Sequence, residues 1–114
     1  MRVLRFDESR AEEISWYESR GASFVELAEG EGEAHASLVF FAAGGEIGPH
    51  EAGFGQLFVA LRGSGWVAGG DGARVPLPEG DAAFIERGEV HAKGSETGMT
   101  ALMLQVRDLR VDDA

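Results

Sequence analysis

Two histidines in this chain sit inside fixed frames of glycine, and those frames constrain the fold more than any other feature. The first frame runs from Gly44 through five residues to His50, one to Ala52, three to Gln56 and six to Gly63. The second runs from Gly80 through five residues to Glu86, one to Gly88, two to His91 and three to Ser95. Most of the 17 glycines fall between short apolar runs, the pattern of many short strands joined by tight turns. An all-β domain is therefore expected, and 114 residues are enough for one domain with one core and no second module.

Strands are expected over 2–6, 23–27, 34–41, 56–62, 66–68, 73–77, 82–85 and 99–107. Gly69-Gly70-Asp71-Gly72 is the clearest hairpin turn, because Gly-Gly and Asp-Gly pairs accept the positive φ angles of tight turns. Ser9-Arg10-Ala11-Glu12 has the form of a capping box, but the run behind it is short and supports one helical turn or a loop. Leu57-Phe58-Val59-Ala60-Leu61 and Ala101-Leu102-Met103-Leu104 are apolar on both faces, as in a closed barrel or sandwich, or in a sheet covered by another subunit. Phe40, Phe41, Phe58 and Phe84 are read as core, and Trp66 and Phe54 as candidates for lining a pocket.

The two frames resemble the motifs of the cupin superfamily, G-x5-H-x-H-x(3,4)-E-x6-G and G-x5-P-x-G-x2-H-x3-N. Every glycine and two of the histidines match; Ala52, Gln56, Glu86 and Ser95 stand where the motifs have histidine, glutamate, proline and asparagine. The motifs span about half the chain. The stretches Gln56-Leu57-Phe58-Val59, Gly63-Ser64-Gly65-Trp66-Val67, Asp71-Gly72-Ala73-Arg74-Val75-Pro76-Leu77 and Gly88-Glu89-Val90-His91 are similar to small, stand-alone bacterial cupins of unassigned activity. The resemblance implies a cupin-type double-stranded β-helix, a jelly-roll barrel, over residues 1–114. It also implies a divalent metal ion, Zn, Ni, Mn or Fe, held by His50, Gln56 and His91.

Side chains alternate along a strand, so His50 and Ala52 share a face while Glu51 points away, and His91 arrives from another strand. Three neutral ligands hold a dication less well than three histidines and a carboxylate. His50 and His91 have a second reading as polar residues at a barrel rim, bonded to Gln56, Glu89 or backbone. His35 shares a face with Ser37, Val39 and Phe41, so it is either a fourth inward ligand or a packed or solvated residue. Glu86 is either a solvent-facing turn carboxylate or a general acid or base raised in pKa by burial. Glu46 and Glu51 flank His50 and are candidates for orienting it.

Twenty acidic residues against ten basic ones give a formal charge of −10, which repels phosphate backbones and anionic headgroups. Nucleic acid and membrane are therefore not expected as partners. No stretch approaches the roughly twenty apolar residues of a membrane span, and a cytoplasmic location is expected. With no cysteine, thiolate zinc sites and thiol catalysis are excluded. The chain carries no G-x-S-x-G elbow, P-loop or H-E-x-x-H, and Ser64 is a turn serine with no adjacent base.

Two functions from different classes follow: a metal-dependent enzyme of small-molecule metabolism, or a metal-free, non-catalytic barrel that holds a small ligand. A homodimer is expected, with Trp16-Tyr17 in a polar N-terminal stretch as a candidate intersubunit contact.

Overall fold

A computed structural model describes residues 1–111; the last three residues of the expected domain, 112–114, lie outside the described residues. The strands in chain order are β1 (Arg2–Arg5), β2 (Glu12–Glu13), β3 (Ser23–Phe24), β4 (Glu29–Phe41), β5 (Glu46–Glu51), β6 (Gly55–Gly63), β7 (Gly65–Ala68), β8 (Arg74–Leu77), β9 (Asp81–Ile85), β10 (Val90–Gly94) and β11 (Met99–Arg110). They form a five-stranded sheet in the order β1-β9-β6-β11-β4, a four-stranded sheet in the order β5-β10-β7-β8, and a β2-β3 hairpin. The observed pairings are antiparallel, with crossovers between the sheets, as the all-β jelly-roll expectation requires.

Alternation explains where the core sits. On β6, Phe58 and Ala60 face the four-stranded sheet and join Phe41, Val67, Leu77 and Met99 in one buried cluster between the sheets. Leu57 and Val59 point the other way, into a second cluster on the outer face, where Leu4, Phe6 and Leu27 pack against them. Leu57 to Ala60 on β6 and Ala101 to Leu104 on β11 therefore pack on both faces, because the N-terminal segment covers part of the outer face, while Leu61 at the end of the first run is exposed.

The turn chemistry acts as expected. Ala68 pairs with Arg74 across the Gly69–Gly72 turn, where the Gly72 N–H donates to the Gly69 carbonyl at 3.0 Å. At Gly63 φ is +76°, and a Cβ there would lie 2.5 Å from the Gly98 carbonyl oxygen, so both conformation and space demand glycine. The second frame closes on the first through Ser95, whose hydroxyl donates to the Ser64 carbonyl at 2.6 Å and accepts from the Gly98 N–H at 2.9 Å.

Several expectations are corrected. The strand expected over 23–27 is only Ser23–Phe24, paired with Glu12–Glu13, and β4 starts at Glu29, five residues before position 34. The early turn is a 3₁₀ turn over Glu8–Arg10 capped by Asp7, whose carboxylate accepts from the Ser9 N–H, so Ser9 is not the cap. Phe40 is 72% exposed and is not core; it alternates with the buried Phe41 on β4 and pairs with Thr100 on the outer face. The strand ranges also left out Glu46–Glu51 and Val90–Gly94, whose sequences lack an apolar alternation; these two strands carry the histidines.

Candidate functional site

His50 and His91 come from adjacent strands of the four-stranded sheet and are direct partners across β5 and β10. Their rings lie 4.4 Å apart between centroids, tilted by 54°. His50 belongs to the exposed rim, and its Nδ1 is 2.8 Å from the Gly48 carbonyl. A carbonyl only accepts, so Nδ1 is the donor in that bond. His91 is fully buried, and neither of its ring nitrogens has a hydrogen-bond partner.

The third predicted site residue, Gln56, is 2% exposed and sits on β6 in the opposite sheet. Its amide oxygen accepts a hydrogen bond from the Lys93 ammonium and not from an imidazole. Lys93, two residues beyond His91 on β10, is 1% exposed, and its Nζ lies 4.5 Å from the centroid of the Phe58 ring. The interior thus holds His91, Lys93 and Gln56 together, with His50 at the rim beside His91.

Burial governs the electrostatics. Removal from water draws the Lys93 ammonium down to about 7. Burial also lowers His91, helped by the nearness of Lys93 and His50 and opposed by Glu89, to about 4. His91 is therefore neutral at physiological pH, with one N–H to give and one lone pair to receive with. A neutral His91 in the fold and an ordinary imidazole in the unfolded chain have a direct consequence. The unfolded chain binds the proton first as pH falls from 6.5 toward 4, so stability declines across that window, above the range where carboxylates titrate. His91→Gln is expected to move the onset of acid unfolding, followed by circular dichroism, down into the carboxylate range; an unchanged onset would contradict this assignment.

The other candidates lie elsewhere. His35 is exposed; its Nε2 is 2.6 Å from a Glu33 carboxylate oxygen, and its ring stacks on Phe54 at 6.0 Å, so it is a solvated surface residue and not a ligand. Glu86 is exposed on its turn, a solvent-facing carboxylate outside the buried cluster. Glu46 pairs with Arg74 at 3.2 Å and Glu51 is exposed, so the Gly48 carbonyl orients His50, not a carboxylate. Trp66 lies under the Arg74 guanidinium at 3.8 Å. Ala52 is buried and clasps the turn of the second frame, donating to the Glu89 carbonyl at 2.9 Å and accepting from the Gly88 N–H at 2.8 Å.

Among the described residues no group of three or more His, Cys, Asp or Glu is arranged to hold a metal ion. The unpartnered nitrogens of His91 could serve as ligands, but the remaining donor set is poor. No carboxylate offsets a dication, and the amide oxygen of the Gln56 position is occupied by a cation of the protein's own. The residues present do not fit a divalent ion while Lys93 holds Gln56.

Sequence reasoning missed Lys93, although the signal was there. The alternation that puts Ala52 with His50 also puts Lys93 with His91, and a lysine two residues from an inward histidine is an inward lysine. The register shift between His91 and Lys93 leaves both buried.

The cupin sequence profile matches residues 19–113. No curated protein matches the chain. Among solved structures, a conserved protein of unknown function from Streptococcus pyogenes is 19% identical over 71% of this chain and 73% of its own, with a TM-score of 0.61. A cupin superfamily protein from Desulfitobacterium hafniense is 20% identical over 72% of this chain and 77% of its own, with the same TM-score of 0.61. Salicylate 1,2-dioxygenase from Pseudoaminobacter salicylatoxidans is 14% identical over 71% of this chain but only 25% of its own, with a TM-score of 0.60. At these identities the likenesses speak for the fold alone. The profile spans most of the chain and both glycine frames, and the two-sheet all-β fold agrees with it: this chain belongs to the cupin family.

Proposed function

We propose that this cupin binds a small molecule inside its barrel without a metal, at a site made by His91, Lys93 and Gln56 with His50 at the rim. The observation that carries this reading is the buried Lys93 ammonium bonded to Gln56, at the position where the family motif has glutamate. In its ammonium form Lys93 places a positive charge at that point and repels a second cation. The metal-dependent reading, with His50, Gln56 and His91 on Zn, Ni, Mn or Fe, is the alternative that the experiment decides. Untagged protein is analysed for bound metal and then titrated calorimetrically with Zn²⁺, Ni²⁺ and Mn²⁺ at pH 7.5. Substoichiometric metal and no binding tighter than that of a His91→Ala variant support the metal-free reading. Near-stoichiometric metal that is lost on chelation and in His91→Ala refutes it.

We also infer that two copies pair. Leu38, Phe40 and Leu61 are 55%, 72% and 48% exposed, and alternation puts all three on the outer face of the five-stranded sheet, where β4 is an edge strand. Trp16 and Tyr17 are also exposed, with Trp16 packed edge-on to Phe24 at 6.0 Å. Phe40→Asp is expected to convert a dimer into a monomer in sedimentation equilibrium at micromolar concentration without unfolding it. A monomeric parent protein would dismiss the pairing.

A further inference from the structure

The buried donors inside the barrel have a common chemistry. The Lys93 ammonium meets the Gln56 amide and the Phe58 ring, both neutral. An ammonium has three N–H donors, and the amide takes one of them. Beside it, His91 is fully buried with both ring nitrogens unpartnered, and a neutral imidazole holds one donor among the two. A buried charge is stabilised by an opposite charge and a buried donor by an acceptor. The cluster therefore offers one positive charge and spare N–H groups on two side chains that leave the same strand.

We propose that the ligand of this barrel is a small monocarboxylate, one oxygen taken by the Lys93 ammonium and the other by the His91 N–H. This deepens the metal-free reading and rests on it. A carboxylate presents two acceptors from one centre and carries the counter-charge that Lys93 lacks, so it satisfies both residues at once. A neutral amide of the same shape leaves the charge uncompensated, and an amine is repelled. The strand partners of Lys93 are Ile47 and Val67, and Phe58 lies beneath its ammonium, so the rest of the ligand meets apolar side chains. His50 sets the way in. It is exposed at the rim, and its ring lies 4.4 Å from that of the buried His91, so we place the entrance beside it. The formal charge of −10 works against an approaching anion only at long range, and salt screens it beyond a Debye length of roughly 8 Å at physiological strength.

The test uses isobutyrate and its neutral isostere isobutyramide as probes, titrated by calorimetry and by amide chemical shifts into the full chain, its metal content measured on the same sample. Isobutyrate is expected to bind at least tenfold more tightly than isobutyramide. Lys93→Met should cost at least tenfold in isobutyrate affinity and clearly less in isobutyramide affinity. Lys93→Gln serves as a second neutral variant should the first fold poorly. Equal binding of acid and amide, no binding of either, or an unchanged isobutyrate affinity in a folded neutral variant overturns the carboxylate assignment while the protein remains metal-free. Stoichiometric metal in the parent sample instead refutes the metal-free reading beneath it.

Discussion

Replacing Lys93 by methionine should flatten the pH dependence of stability between pH 7 and 9 and stabilise the fold at pH 6. In the unfolded chain this lysine titrates at its ordinary value of 10.5; in the fold burial draws it down to about 7. Below pH 7 both states carry the proton, and the fold bears the whole cost of a buried charge. From pH 7 upward the folded protein gives up the proton while the unfolded chain keeps it. The unfolded state then binds more protons, so stability rises with pH and levels off above 10.5, where both states are neutral. Integrated from pH 7 to 9 the gain is about 2 kcal/mol, from a slope that approaches about 1.4 kcal/mol per pH unit.

Methionine removes the charge and keeps the length of the side chain. It leaves the Gln56 oxygen without its donor, a loss of roughly 1–3 kcal/mol that does not vary with pH. The variant is therefore more stable than the parent at pH 6, where the burial cost is complete, and loses that advantage by pH 9. Urea unfolding of both proteins at pH 6, 7, 8 and 9 measures it. Parallel curves would mean that Lys93 is not buried with its charge.

Gly63→Ala carries the second large effect, a loss of at least about 3 kcal/mol in the same assay. Two costs add. Position 63 has φ +76°, a left-handed conformation that costs a residue with a Cβ about 1–2 kcal/mol. The new methyl group would also sit 2.5 Å from the Gly98 carbonyl oxygen and 3.3 Å from the Met99 Cα, atoms of backbone that cannot swing aside as a side chain would. Gly72→Ala separates the two, because φ there is +77° but nothing lies within 4 Å of the added carbon. That variant should lose only the conformational part. Similar losses at both positions would show that the close approach of Gly63 to the turn at Gly98 carries no energy of its own.

The same contrast runs through the molecule. Local chemistry was legible: the Gly69–Gly72 turn, the glycine frames and the two-faced apolar run of β6 follow from φ preferences and strand alternation, which act within a few residues, and the frames bring His50 and His91 side by side. Alternation alone does not say which face is inside. Phe40 and Phe41 are adjacent and equally apolar, and only the packing of β4 against β11 turns one outward and the other into the core. The strands of His50 and His91 were hidden in EIGPHE and VHAKG, because their partners, and not their own sequence, make them strands.

What the sequence by itself determined was an all-β chain with two histidines aimed at one place, because glycine and alternation are properties of the backbone nearby. What the tertiary structure alone decided was the chemistry of that place. Gln56 and Lys93 are 37 residues apart and lie on different sheets, and their meeting depends on how the sheets close over each other. An amide at a motif position reads as a ligand along the chain; once folded it becomes the hydrogen-bond partner of a buried ammonium, because burial, which the chain does not display, made that bond necessary.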